Sequence, residues 1–253
     1  MNHLTLKPTE NCGHSNVAPS PAADAPFLEA WGLQKSYQSA AGRETILRNV
    51  DISIQLGEVL AITAPSGAGK STLLKILGGL EMPDGGTVNC AGTTLDFRDG
   101  RQLAALRAYS IGFIFQRFNL VPFLNAHENV ELALKLRTTN ASERRSLALA
   151  ALTLVGLGHK VRALPATMSG GEQQRVAVAR AIAGAPSLLL CDEPTGSLSQ
   201  EAGQQVFDLL HTFAYKHRRA VVLVTHNESL AQQATRRLYL RDGHLEETSG
   251  APS

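Results

Sequence analysis

The chain has 253 residues, 43% hydrophobic and 18% charged, with 22 Gly and 11 Pro, enough for one large domain or two small ones around a sizeable core. Its 24 Lys+Arg against 22 Asp+Glu leave a net charge of +2, which excludes a strongly polybasic nucleic-acid binder. No apolar run reaches the ~18 residues of a membrane span, no secretory signal is visible, and Cys12, Cys90 and Cys191 are too scattered for a disulfide framework or a metal cage.

Residues 1–26 carry Pro8, Pro19, Pro21 and Pro26 among Asn, Ser, Ala and Gly, with no hydrophobic period, as a disordered tail does. From 27 the pattern changes. Segments 26–37 and 44–56 alternate apolar and polar residues, the period of half-buried strands. After Gly57 and Glu58 turn the chain, 59–62 is a short apolar run, expected as a strand buried on both faces. A Gly-rich loop, 64–72, follows it. Leu73, Leu74, Ile76 and Leu77 then recur at helical spacing until Gly78-Gly79. Helices are expected at 101–109 and 126–136, with a strand at 111–115 and a loop around Pro122 between them. A further helix at 141–155 takes Ser142 as its cap. Ser169-Gly170-Gly171 opens a helix running 169–183. Buried strands at 187–191 and 220–225 alternate with helical stretches at 200–216 and 228–235, and a last strand at 237–241 ends at Asp242-Gly243. Such alternation, without internal repeats, implies an α/β fold with a mostly parallel core sheet covered on both faces.

Two of these segments carry chemistry. Polyphosphate needs many donors at short range, and a Gly-rich loop turns consecutive N–H groups into one concavity. The helix behind it adds a dipole that stabilises a nearby anion by about 0.3–1 kcal/mol. The segment Ala64-Pro65-Ser66-Gly67-Ala68-Gly69-Lys70-Ser71-Thr72 fits this use, with Lys70 reaching the β and γ phosphates and the Ser71 hydroxyl suiting a hard Mg2+ ion. Ala64 stands where the motif usually has its first Gly, which is tolerable at negative φ. The strand at 187–191 runs into Asp192 and Glu193, at the sheet edge where open α/β folds bind ligands. Asp192 is placed to position Mg2+, and Glu193 to accept a proton from attacking water. Cys191 reads as a small core residue.

Between them lies Met168-Ser169-Gly170-Gly171-Glu172-Gln173-Gln174-Arg175. With the phosphate loop, this resembles the ATP-binding subunit of ABC transporters over about residues 27–248, five motifs occurring in family order. The resemblance implies a P-loop NTPase cassette with an antiparallel β subdomain and a small helical subdomain, about 117–168, leaving 249–253 as a tail. It implies that Ser169, Gly170, Gly171 and Glu172 form the signature loop that meets the γ-phosphate of ATP held by a second cassette. It implies Gln116 as the glutamine that touches Mg2+ or the attacking water, His226 as the switch histidine on the γ-phosphate, and Tyr37 as the aromatic that stacks on adenine; a tyrosine ending a strand is otherwise edge packing. Ser199 replaces the aspartate that usually communicates across the dimer, which leaves a degenerate module that binds ATP but turns it over poorly as an alternative.

The segments Leu77–Pro83 and Gln116–Pro122 look like the lipoprotein-releasing and macrolide-export branch, with the bacterial cell-division cassette a near relative that signals instead of transporting. That implies ATP and Mg2+, an integral membrane permease, a second cassette, and a peripheral place on the cytoplasmic face of the inner membrane. Sixty residues follow Glu193, so no C-terminal regulatory domain is expected. Phe118, Leu120, Val121, Phe123 and Leu124 suit either a groove for the permease or the core of the helical subdomain.

Overall fold

A computed structural model describes residues 25–39 and 42–248. The expected tails, apart from residues 25 and 26, and Cys12 lie outside them. In chain order the strands are β1 (Leu28–Ser39), β2 (Gly42–Ile54), β3 (Val59–Thr63), β4 (Gly85–Cys90), β5 (Thr93–Thr94), β6 (Ile111–Ile114), β7 (Leu188–Asp192), β8 (Ala220–Thr225), β9 (Arg236–Arg241) and β10 (His244–Glu247). The α-helices are α1 (Lys70–Leu77), α2 (Gly100–Tyr109), α3 (Ala126–Leu134), α4 (Ala141–Leu154), α5 (Gly170–Ile182), α6 (Gln200–His217) and α7 (Glu228–Ala231).

Six strands form the central sheet in the order β10-β9-β3-β8-β7-β6. All its pairs are parallel except β9 with β10. The apolar runs explain why. Every residue of β3 and β8 is buried, and alternate residues feed opposite cores. Ala61, Leu189, Cys191, Val221 and Leu223 pack with residues of α3 to α6 on one side. Ile62, Leu188, Leu190, Val222 and Val224 pack with α1 and the smaller sheet on the other. Each fully buried Leu or Val stabilises by about 1.5–3 kcal/mol relative to exposure. That smaller sheet is antiparallel, in the order β2-β1-β4-β5.

Some boundaries differ from the sequence pattern. The helix expected at 141–155 is capped by Asn140, not Ser142, because the Asn140 Oδ1 accepts from both the Ser142 and Glu143 amides. The helix expected at 126–136 ends at Leu134, and that expected at 228–235 ends at Ala231. Strands β4, β5 and β10 were absent from the expectation. Among the described residues no helix is long and apolar enough to cross a membrane.

Candidate functional site

The C-terminal ends of β3, β7 and β8 deliver Ala64, Asp192 and His226 to one edge of the central sheet. The loop after β3 turns through Gly67 at φ +82° and Gly69 at φ +100°, the left-handed region where glycine carries no Cβ penalty. A Cβ on Gly69 would lie 2.3 Å from the Ile46 Cγ2, so this position needs glycine for space as well. Ala64 is not among the residues of positive φ, which is why a side chain is accepted there. Gly69 is the N-cap of α1, and no side chain caps that helix end. Its amides therefore open into a cavity of about 390 Å³ lined by Tyr37, Ser66, Lys70, Ser71, Gln116 and Glu193, among others.

In and beside this cavity the polar groups form two connected sets. Lys70 is only 6% exposed. Its Nζ donates to the carbonyls of Ala64 at 2.9 Å and Pro65 at 3.0 Å, and lies 4.0 Å from the Glu193 Oε1. The other oxygen of Glu193 lies 3.0 Å from the His226 Nδ1 and 3.5 Å from the Gln116 Nε2. Beside them the Ser71 hydroxyl donates to the Asp192 Oδ1 at 2.9 Å. Glu193 itself takes φ +46°, a left-handed conformation that costs a side-chain-bearing residue about 1–2 kcal/mol. The strain is held by its amide, which donates to the Val224 carbonyl at 2.9 Å, and by its carbonyl, which accepts from Gly196 at 3.1 Å. Backbone strain of this kind aims a side chain where an extended strand would not.

Ser71 and Asp192 offer hard oxygen donors side by side, with the Gln116 amide in the same cavity. No group of three or more His, Cys, Asp or Glu that would cage a metal exists among the described residues. The Ser71 and Asp192 oxygens fit Mg2+, which usually takes one or two protein oxygens and completes its shell with water and phosphate.

The remaining expected residues are distributed unevenly. Tyr37 lines the cavity, 40% exposed. Its hydroxyl donates to Glu81 and lies 3.2 Å from the Thr72 Oγ1. Burial, then the Glu81 contact, pushes its pKa up. Thr72 also lines the cavity, while Ala68 packs against the core beside α1. Ser169–Glu172 are elsewhere. Ser169 and Glu172 close a reciprocal capping box at the start of α5. Glu172 also pairs with Lys160, and that hydrogen bond and the Ser169 amide hold its carboxyl below the usual range. Gly170 faces Phe118 and Leu198, and Gly171 faces Ala202. One chain thus brings together Lys70, Ser71, Gln116, Asp192, Glu193 and His226, but not the 169–172 loop.

Three residues of the site region went unread in the sequence. Ile46 from β2 enforces glycine at 69, and Glu81 fixes the Tyr37 hydroxyl. Asn129 is fully buried in α3 and holds the loop below Gln116: its Nδ2 donates to the carbonyls of Val121, Leu124 and Asn125, and its Oδ1 accepts from the Val121 amide. That loop presents Phe123 at 78% exposure, while Leu120 packs into the core. The polar residue inside the apolar face of 126–134 was the available signal for Asn129.

Comparison with known proteins adds an independent line. The ABC transporter family model matches residues 47–196. The uncharacterized ABC transporter ATP-binding protein YbbA of Escherichia coli (strain K12) is 44% identical over 221 residues, 87% of this chain and 97% of that protein. The lipoprotein-releasing system ATP-binding protein LolD 2 of Caulobacter vibrioides is 42% identical over 87% of this chain and 97% of that protein. The macrolide export ATP-binding/permease protein MacB 2 of Aeromonas hydrophila is 39% identical over 89% of this chain, which spans 35% of that protein. The ATP-binding cassette MJ0796, solved as a dimer in a post-hydrolysis state bound to ADP and Pi, superposes with a TM-score of 0.81 at 37% identity, over 88% of this chain and all of that one. With a family model over more than half its length and relatives of this identity over most of it, the chain belongs to the ABC transporter family, as an ATP-hydrolysing cassette.

Proposed function

We propose that this cassette drives a membrane permease of the lipoprotein-release or macrolide-export type from the cytoplasmic face of a bacterial inner membrane, and that two copies close face to face around two ATP molecules. One observation carries the two-copy reading: the 169–172 loop opens helix α5, yet lies outside the cavity that holds Lys70 and Glu193. A second chain supplies it. The names of the relatives, lipoprotein-releasing and macrolide-export, support the type of permease.

Lys70 exchanges the Ala64 and Pro65 carbonyls for phosphate oxygens, and the amides of 66–71 cradle the rest. Ser71, Asp192 and Gln116 would hold Mg2+, which would neutralise charge developing on the phosphates. Glu193, aimed by its left-handed backbone, orients the attacking water and takes its proton. His226 steadies that carboxylate and meets the γ-phosphate, and Tyr37 offers its ring to the base. The nucleotide favours the closed pair because it touches both chains only there, so hydrolysis reopens the pair and resets the permease.

The test is Mg-dependent ATP hydrolysis by the native chain and by Glu193→Gln, with mass measured in solution at saturating ATP. Loss of a general base lowers the rate by about 10²–10⁴. Glu193→Gln should bind nucleotide, turn over at that reduced rate and accumulate as a dimer. Near-native turnover in Glu193→Gln would remove Glu193 from its role.

A further inference from the structure

Tyr37 stands near the open end of β1, where residues 37–39 are all exposed, so packing does not fix its ring. Polar groups fix it instead. Its hydroxyl proton goes to the Glu81 carboxylate. A phenol has one proton to give, so the Thr72 hydroxyl, 3.2 Å away, donates to the phenol oxygen. The Lys35 ammonium lies over the ring, 5.4 Å from its centre, and covers one face. Lys35 is itself held. Its Nζ donates to the Met82 carbonyl at 2.7 Å and lies 3.3 Å from the Glu81 Oε1 and 3.8 Å from the Asp84 Oδ1. Asp84 locks this loop to the strand: its carboxylate accepts from the Ser36 amide at 2.8 Å, and its amide donates to the Gln34 carbonyl at 2.8 Å.

Two of these groups are tied to α1. Thr72 lies in its first turn. Glu81 follows its last: the amides of Leu80 and Glu81 donate to the Lys75 carbonyl at 2.8 and 3.2 Å, which anchors the loop to the helix end. The same helix begins with Lys70 and Ser71, which line the phosphate cavity. One rigid element therefore carries groups for the phosphate end and groups that set the tyrosine ring. A free tyrosine on a strand end loses rotamer freedom when a ligand stacks on it, and a ring already held loses less.

We propose that Glu81 is a positioning residue for the nucleobase: through the Tyr37 hydroxyl it holds the ring, with Lys35 over one face, so that a base joined to phosphates in the loop stacks on the other face without reordering it. This rests on the reading that Tyr37 meets the base, and names the residue that orients it. If Glu81 served only to tie the 81–84 loop to β1, its loss would affect every ligand of α1 alike.

Displacement of a fluorescent ADP analogue from the full chain, with Mg2+ present, tests this with two competitors. ADP carries a base and has no γ-phosphate, so turnover stays out of the measurement. Inorganic tripolyphosphate carries no base. Glu81→Leu should weaken ADP by about three- to ten-fold, the loss of one charge-assisted hydrogen bond, and leave tripolyphosphate unchanged. Glu81→Gln keeps an acceptor and should recover most of the ADP affinity. Tyr37→Phe, which keeps the ring and lacks the hydroxyl, should weaken ADP to a similar degree, and Tyr37→Phe/Glu81→Leu should be no weaker than either alone. If Glu81→Leu does not fold, Tyr37→Phe carries the test at an exposed site, and native ADP affinity there overturns the proposal. Equal weakening of ADP and tripolyphosphate by Glu81→Leu makes Glu81 a structural tie and overturns it too, as does an additive loss in the double variant. Tyr37→Ala judges the underlying reading separately. If it weakens ADP alone while Glu81→Leu does not, the ring meets the base without help from Glu81. If it leaves both competitors unchanged, no base stacks there and both readings fall.

Discussion

Glu193 and Cys191 stand two residues apart on one strand end, and their environments make them opposites. Glu193 lies in a polar cavity with three partners for its two oxygens. Cys191 points into the core, fully buried, and desolvation followed by the nearby Asp192 charge pushes its thiol far above the ordinary range. Cys90 is pushed up to about 12 by burial alone. Since the thiolate is the nucleophile, at pH 8 only about one Cys90 in ten thousand is reactive, before access is considered. A chromogenic disulfide reagent should therefore count at most one thiol in the native chain, from Cys12, and three after unfolding in guanidinium. Two or more rapid equivalents in the native state would contradict the burial of β4 and β7. The same contrast shows what was readable. The acidic pair was legible because an apolar strand ending in carboxylates at a sheet edge is a local pattern. The left-handed turn at Glu193 was not, since it is imposed by Val224 on a neighbouring strand.

At the scale of elements, legibility followed burial on two faces. Strands β3, β7 and β8 are continuous apolar runs because helices cover one side and a second sheet the other. Strand β4 begins Gly85-Gly86, and Gly86 exists for proximity: a Cβ there would meet the Trp31 and Gly32 carbonyls at 2.5 Å. Glycines chosen for close backbone approach read as a turn. Arg107, Arg137 and Arg180, which line one cleft beside β6, were illegible for another reason. Positions 107, 137 and 180 converge only after the chain packs, and their partners are carbonyls, which leave no mark in sequence. Helix α5 was readable from its capping box, and the cap separates two roles of Ser169. Its hydroxyl accepts from the Glu172 amide while Glu172 answers the Ser169 amide. Ser169→Ala should cost about 1 kcal/mol, or roughly 2–4 °C in Tm for a chain of this size. Asp caps as well as Ser, so Ser169→Asp should recover most of that Tm while ATP turnover stays low in both. A calorimetric scan beside an ATPase assay separates the two. Turnover that tracked Tm across the pair would reduce Ser169 to a cap.

The whole molecule is half of a machine if the signature loop acts on a neighbour's nucleotide. The central sheet gathers the phosphate loop, Asp192, Glu193 and His226 at one edge, while α5 carries Ser169 off toward α6 and Phe118. A bound γ-phosphate then attracts two helix N-termini from different chains, and the second contributes only on closure. In the Glu193→Gln background, where hydrolysis no longer reopens the pair, this has a direct consequence. Glu193→Gln should run as a dimer at saturating ATP. The double variant Glu193→Gln/Ser169→Asp keeps its own phosphate loop intact and should bind nucleotide with similar affinity, yet remain monomeric, because a carboxylate now opposes the γ-phosphate across the interface. Light scattering for mass and a fluorescent nucleotide titration for affinity measure the two quantities independently. Loss of both affinity and dimer would mean that Ser169 acts within its own chain. Retention of both would mean that the loop does not meet phosphate at all. Only loss of the dimer at unchanged affinity fits a composite site, and Ser199 then bears on it from the same surface. The Ser199 hydroxyl accepts from the Ala202 amide as the cap of α6, next to the Leu198 and Ala202 contacts of Gly170 and Gly171.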